Sequence, residues 1–133
     1  MYNIIFYEDD YHQSTLRNEL LLLAEKALIS KDARIQFKQI TLYIELLKTY
    51  GQNLSSNITK HLDGEIWELR PGVNRILYFY YSNDAFVLLH MFRKSSNKTP
   101  RHELEKARKE IYDFKIRNRG QQIWEHGKTL KKK

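Results

Sequence analysis

Cysteine is absent from this 133-residue chain, which excludes a disulfide-stapled scaffold, a thiolate metal site and cysteine catalysis. Glycine is scarce: there are five, and none stands in a run able to wrap a phosphate. His12, His61, His90, His102 and His126 lack the spacing of metal ligands. No long apolar run occurs. The stretch "MYNIIFYEDDYHQ" has neither a basic leader nor enough apolar residues for a signal peptide or membrane span. The expectation is a cytoplasmic protein with no membrane partner, no metal and no other cofactor.

What is present suits one folded domain. Hydrophobic residues make up 41% of the chain and aromatics 13%, enough to fill a single modest core at this length. The net charge of +7 is unevenly spread: residues 1–59 hold 6 Lys and Arg against 7 Asp and Glu, and residues 60–133 hold 17 against 9. A basic half joined to a nearly neutral one marks a footprint for a polyanion such as RNA, DNA or an acidic protein. The competing reading is a basic surface kept for solubility.

Tyr2 to Tyr7, "YNIIFY", reads as a first strand. Apolar residues recur at helical spacing from His12 to Leu28 and again, after "SKD", from Ala33 towards Gly51, which predicts an amphipathic helical hairpin. "GQNLSSNITKHLDG" reads as a polar loop. Three strands follow, at Glu65 to Arg70, Asn74 to Ser82 and Ala85 to Lys94, joined by "PGVN" and by a two-residue "ND" turn. Thr99 and Pro100 are the expected N-cap and first residue of a third helix that fades into "RNRGQQ". The whole is an α+β domain over residues 1–118, followed by a basic extension, 119–133, whose "KTLKKK" end is expected to be mobile.

The meander concentrates charge. With Arg70 opposite Arg75 across "PGVN", and Ser82 opposite Ala85 across "ND", one face gathers Glu68, Arg70, Arg75, His90, Phe92 and Lys94. The other face holds Trp67, Leu69, Ile76, Tyr78, Val87 and Leu89, the predicted bed for the helical hairpin. Like charges directly opposed in a sheet repel, so an anion is needed. Glu68 supplies one carboxylate, and guanidinium groups match phosphate oxygens two at a time. Phe92 is placed to stack an unpaired base, unless it is simply a core phenylalanine.

The order of elements, together with "EIWELRPGVNRILYFYYSNDAFVLLHMFRKSSNKTP", resembles the RelE superfamily of bacterial toxins. The "WELR", "RILYF", "LLHxF" and "KTP" pieces are similar to the phage-related HigB-type branch. That resemblance covers residues 60 to 118 most closely. It implies a RelE-like fold and a metal-independent endoribonuclease that cuts mRNA on translating ribosomes, silenced by a cognate HigA-like helix-turn-helix antitoxin. It also implies that Arg70, Arg75 and Lys94 are phosphate-binding and catalytic cations, that Glu68 is the "WELR" glutamate, and that Lys98 is the lysine of "KTP". Arg93 and Arg101 are flanking candidates for RNA contact. Ser95 stands where the branch often has a second lysine, and other RelE-type toxins carry a lysine at the place of Glu68.

Cleavage without a metal needs a base for the 2′-hydroxyl, a clamp for the phosphorane and an acid for the 5′-oxygen. Arg75 and Arg70 are the candidate clamp, Lys94 the acid or a second clamp, and Glu68 or His90 the base. Against these stand an ion-pair role for Glu68 and a half-buried strand role for His90. Two other classes of function fit the same basic surface: a non-catalytic RNA- or DNA-binding module, and a protein-interaction domain for an acidic partner.

Overall fold

The computed structural model describes residues 1–82 and 84–132, with side chains as far as Asn118. The chain order is β1 (Asn3–Phe6), α1 (Thr15–Lys26), α2 (Lys31–Tyr50), β2 (Thr59–Asp63), β3 (Ile66–Leu69), β4 (Asn74–Tyr81), β5 (Ala85–Arg93) and α3 (Arg101–Lys132). The expected α+β arrangement of strand, helical hairpin, meander and closing helix is what forms. Each hairpin helix starts at a serine whose hydroxyl accepts an orphan backbone N–H: Ser14 from Arg17 and Ser30 from Ala33.

The five strands lie in the order β1-β5-β4-β3-β2, with β1 parallel to β5 and the others antiparallel. Alternation along the central strands feeds two cores. Leu69, Ile76, Tyr78, Phe86 and Leu88 meet Leu16, Ile40 and Leu47 of the hairpin. Leu77, Phe79, Val87 and Leu89 meet Ala107, Ile111 and Phe114 of α3.

Five expectations need correction. The polar stretch read as a loop contains β2, an edge strand whose exposed, charged face hides it from any search for apolar alternation. Val87 and Leu89 face α3, not the hairpin. Ala85 pairs with Tyr81, not Ser82, so the β4–β5 connection has a third residue and ends on Asp84 in the left-handed region, φ 57°. Thr99 does not cap α3: the Pro100 carbonyl accepts the first helical bond, from Leu104. The helix then continues to Lys132, past the stretch predicted to fade. The side chains of the basic extension lie outside the described residues.

A bulge reconciles the altered turn with the rest of the sheet. Tyr78 pairs with Leu88 but Leu77 pairs with His90, leaving Leu89 as the extra residue on β5. Beyond it, Arg75 lies opposite Phe92, as predicted. The misread turn and the unforeseen bulge each shift the register by one residue, and they cancel before the charged end of the sheet.

Among the described residues, no helix is long and apolar enough to cross a membrane.

Candidate functional site

Arg75 is positioned by the turn before it. Gly72 adopts φ 60°, a conformation open to glycine at little cost, and its carbonyl accepts from Arg75 Nη1 at 2.7 Å. The same nitrogen donates to the Asn74 carbonyl at 2.8 Å. The side chain is held at 7% exposure, and among the described residues Nε and Nη2 have no hydrogen-bond partner. Burial draws the guanidinium below its ordinary pKa; Glu68 opposes that effect and Arg70 adds to it.

Glu68 is 4% exposed and is held between two groups. Thr99 Oγ1 donates to its Oε1 at 2.8 Å, and Arg70 Nε lies 3.6 Å from its Oε2. Arg70 also donates from Nη1 to the Ser56 carbonyl at 3.0 Å. A carboxylate with two such neighbours keeps lone pairs free on Oε2.

Glu68, Arg75, Phe92, Lys94 and Lys98 line one recess, walled by the loop from Ser95 to Thr99. Arg70 lines the recess next to it, together with Lys60, Lys98 and the shared Glu68. Among the described residues, no carboxylate forms an ion pair with Lys60, Lys94 or Lys98. One buried carboxylate, Glu68, thus stands among several cations in these two recesses.

Three predicted site residues lie elsewhere. His90 is 2% exposed and sits beneath α3. Its Nδ1 is 2.5 Å from Glu110 Oε1 and its Nε2 is 2.9 Å from Glu103 Oε1. Both ring nitrogens are thereby occupied, and neither can take a proton from a substrate. Arg93 is exposed on the strand position between Phe92 and Lys94, and so points away from them. Arg101 is 90% exposed and paired with Glu105 at 3.1 Å on its own helix.

Sequence reasoning missed Thr99 as the donor to Glu68 and Lys60 as a neighbour of the site. Thr99 was absorbed into a capping motif. Lys60 lay in the stretch taken for a loop, although the Ile58–Thr59 pair bounded by polar residues was a faint strand signal. Among the described residues, no group of three or more His, Asp or Glu side chains is placed to hold a metal ion.

No curated protein is detectably similar to the chain. Among solved structures, one chain of the archaeal RelE-RelB complex from Pyrococcus horikoshii OT3 is 12% identical, with a TM-score of 0.48. The match covers 69% of this chain and 93% of that one. The family model described as "Phage derived protein Gp49-like (DUF891)" matches residues 28–112, a span from the start of α2 through the site and well into α3. The chain therefore belongs to the Gp49-like family of phage-derived proteins.

Proposed function

We propose that this chain is the toxin of a type II toxin-antitoxin system, an endoribonuclease that cuts mRNA on translating ribosomes and is held inactive by a cognate helix-turn-helix antitoxin. The observation that carries the reading is the recess in which Arg75, Lys94 and Lys98 surround the buried carboxylate of Glu68. Such a recess matches a phosphodiester in charge and offers both a proton acceptor and proton donors. The sequence signature from "WELR" to "KTP" supports the same assignment.

In this mechanism Glu68 takes the proton from the ribose 2′-hydroxyl, and the freed oxygen attacks the adjacent phosphorus. Arg75 and Arg70 hold the non-bridging oxygens as the phosphorane charge develops. Lys94 gives a proton to the departing 5′-oxygen, leaving a 2′,3′-cyclic phosphate on one fragment and a 5′-hydroxyl on the other. The ribosome orients the message, so much of the entropic work falls outside the protein.

The test mixes wild-type and Arg75→Ala protein with translating ribosomes and maps the RNA ends. The wild type is expected to cut within codons. The variant loses at least about a hundredfold in rate, the scale for deleting a group that stabilises transition-state charge. Retention of RNA without cuts assigns the surface to binding alone. Growth arrest on expression, relieved by the product of the neighbouring gene, tests the toxin assignment separately.

A further inference from the structure

We propose that Lys60, with Lys98, forms a second phosphate subsite for single-stranded RNA beside the one held by Arg75 and Arg70. This rests on the nuclease reading and extends it. Lys60 is the cross-strand partner of Glu68 in the β2–β3 ladder, so the two side chains share a face. The recess they border has a volume of about 350 Å³. Leu62 and Leu104, both half-buried, line it beside the cations, and such apolar surface suits a ribose or a base face.

Charge points the same way. Across the two recesses, Lys60, Arg70, Arg75, Lys94 and Lys98 meet no carboxylate but Glu68 among the described residues. A single phosphodiester leaves most of that excess unmatched, and a second linkage relieves it. The positions also fit one strand crossing the sheet: β2 and β4 are two strand spacings apart, about 10 Å. Because β2 is the sheet edge, a chain leaving the Lys60 recess meets open solvent. An edge lysine can serve only to discourage strand pairing, and the experiment separates that role from RNA contact.

Fluorescence anisotropy with short single-stranded RNAs, 2′-O-methylated to block cleavage, gives affinity as a function of salt. At 0.1 M salt, Lys60→Gln is expected to bind about fivefold more weakly than wild type, with a salt slope smaller by about 0.7, the contribution of one phosphate contact on a single strand. Extending the RNA by one nucleotide at one of its two ends should strengthen wild-type binding and leave Lys60→Gln unmoved. Equal affinity and slope in the two proteins, with or without increased aggregation of the variant, would overturn the subsite while the nuclease reading stands. Failure of the wild type to bind any of these RNAs also overturns the subsite; the nuclease reading then stands or falls on the ribosome experiment.

Discussion

Thr99 Oγ1 donates to Glu68 Oε1 at 2.8 Å, tying the loop that precedes α3 to a strand in the middle of the meander. The bond fixes the carboxylate proposed as the base, and it does so from a residue outside the sheet. Thr99→Val keeps the shape and removes the donor. The expected outcome is a cleavage rate roughly tenfold lower, as for a misplaced catalytic group, with a stability loss of only about 1 kcal/mol. Thr99→Ser should restore most of the rate. Single-turnover cleavage and urea unfolding check the two halves separately.

His90 is predicted to act on stability. Glu103 and Glu110 both reach it from α3, and removing the ring leaves two poorly solvated carboxylates facing one another. His90→Ala is expected to cost about 3–5 kcal/mol, the scale for stranding a buried charge. Hydrogen exchange in α3 should rise with it. A catalytic role predicts instead a lost acid limb in the pH–rate profile of a protein of unchanged stability.

Gly72→Ala strikes the turn that holds Arg75. A β-carbon at this position collides with the end of the Gln39 side chain, and the left-handed backbone costs a further 1–2 kcal/mol or so for an L side chain. Pairing it with Gln39→Ala removes the collision but not the backbone strain. The double variant is therefore expected to remain about 1 kcal/mol or more below wild type, measurable as a lower urea midpoint.

Tyr78 predicts an alkaline limit. Burial raises its phenol to about 12 from 10.0, with hydrogen bonds involving Thr59 and Gln52 acting in the opposite direction. The folded state thus keeps a proton that the unfolded chain releases first. The associated stability is fully present below pH 10 and is lost as pH rises from there towards about 12. Its size is about 2–3 kcal/mol at one pKa unit per 1.36 kcal/mol. Tyr78→Phe should flatten this part of the stability curve relative to wild type, as followed by chemical denaturation across the alkaline range.

Acid acts at a different place. The Tyr7 hydroxyl donates to Asp113 Oδ2 at 2.6 Å and, as the largest influence, holds the carboxyl below its ordinary pKa, with Arg117 assisting. The folded state therefore binds this proton less readily than the unfolded chain. That contribution is present above the ordinary carboxylate range and fades as pH falls through and below it. Tyr7→Phe is expected to lessen the acid sensitivity of the contact between the N-terminal segment and α3, as read by acid titration of unfolding.

Strong periodicity made most of the framework legible. The Ala33, Ile40 and Leu47 stripe of α2 is buried as its spacing predicted, and Ile76 and Tyr78 face the hairpin as the strand period required. Edge strand β2 was illegible because a strand with one open side needs few apolar residues. The bulge at Leu89 was illegible because it closes the unbroken apolar run from Ala85, so the pattern there reads equally well in either phase. Of the site, the positions of Glu68, Arg75, Phe92 and Lys94 followed from pairing alone. His90 also lies opposite Leu77 as expected, but its cover by Glu103 and Glu110 could not be foreseen, since they come from a helix whose docking no strand pattern specifies.

The parallel pairing of β1 with β5 has a consequence for biogenesis. Strand β1 leaves the ribosome well before β5, its partner some 80 residues further along the chain, and the intervening hairpin must be bridged before the two can join. A contact so distant in sequence closes late and slowly. Truncated translation products ending before Ala85 therefore lack a mate for the amino-terminal strand, and they are natural substrates for proteolysis.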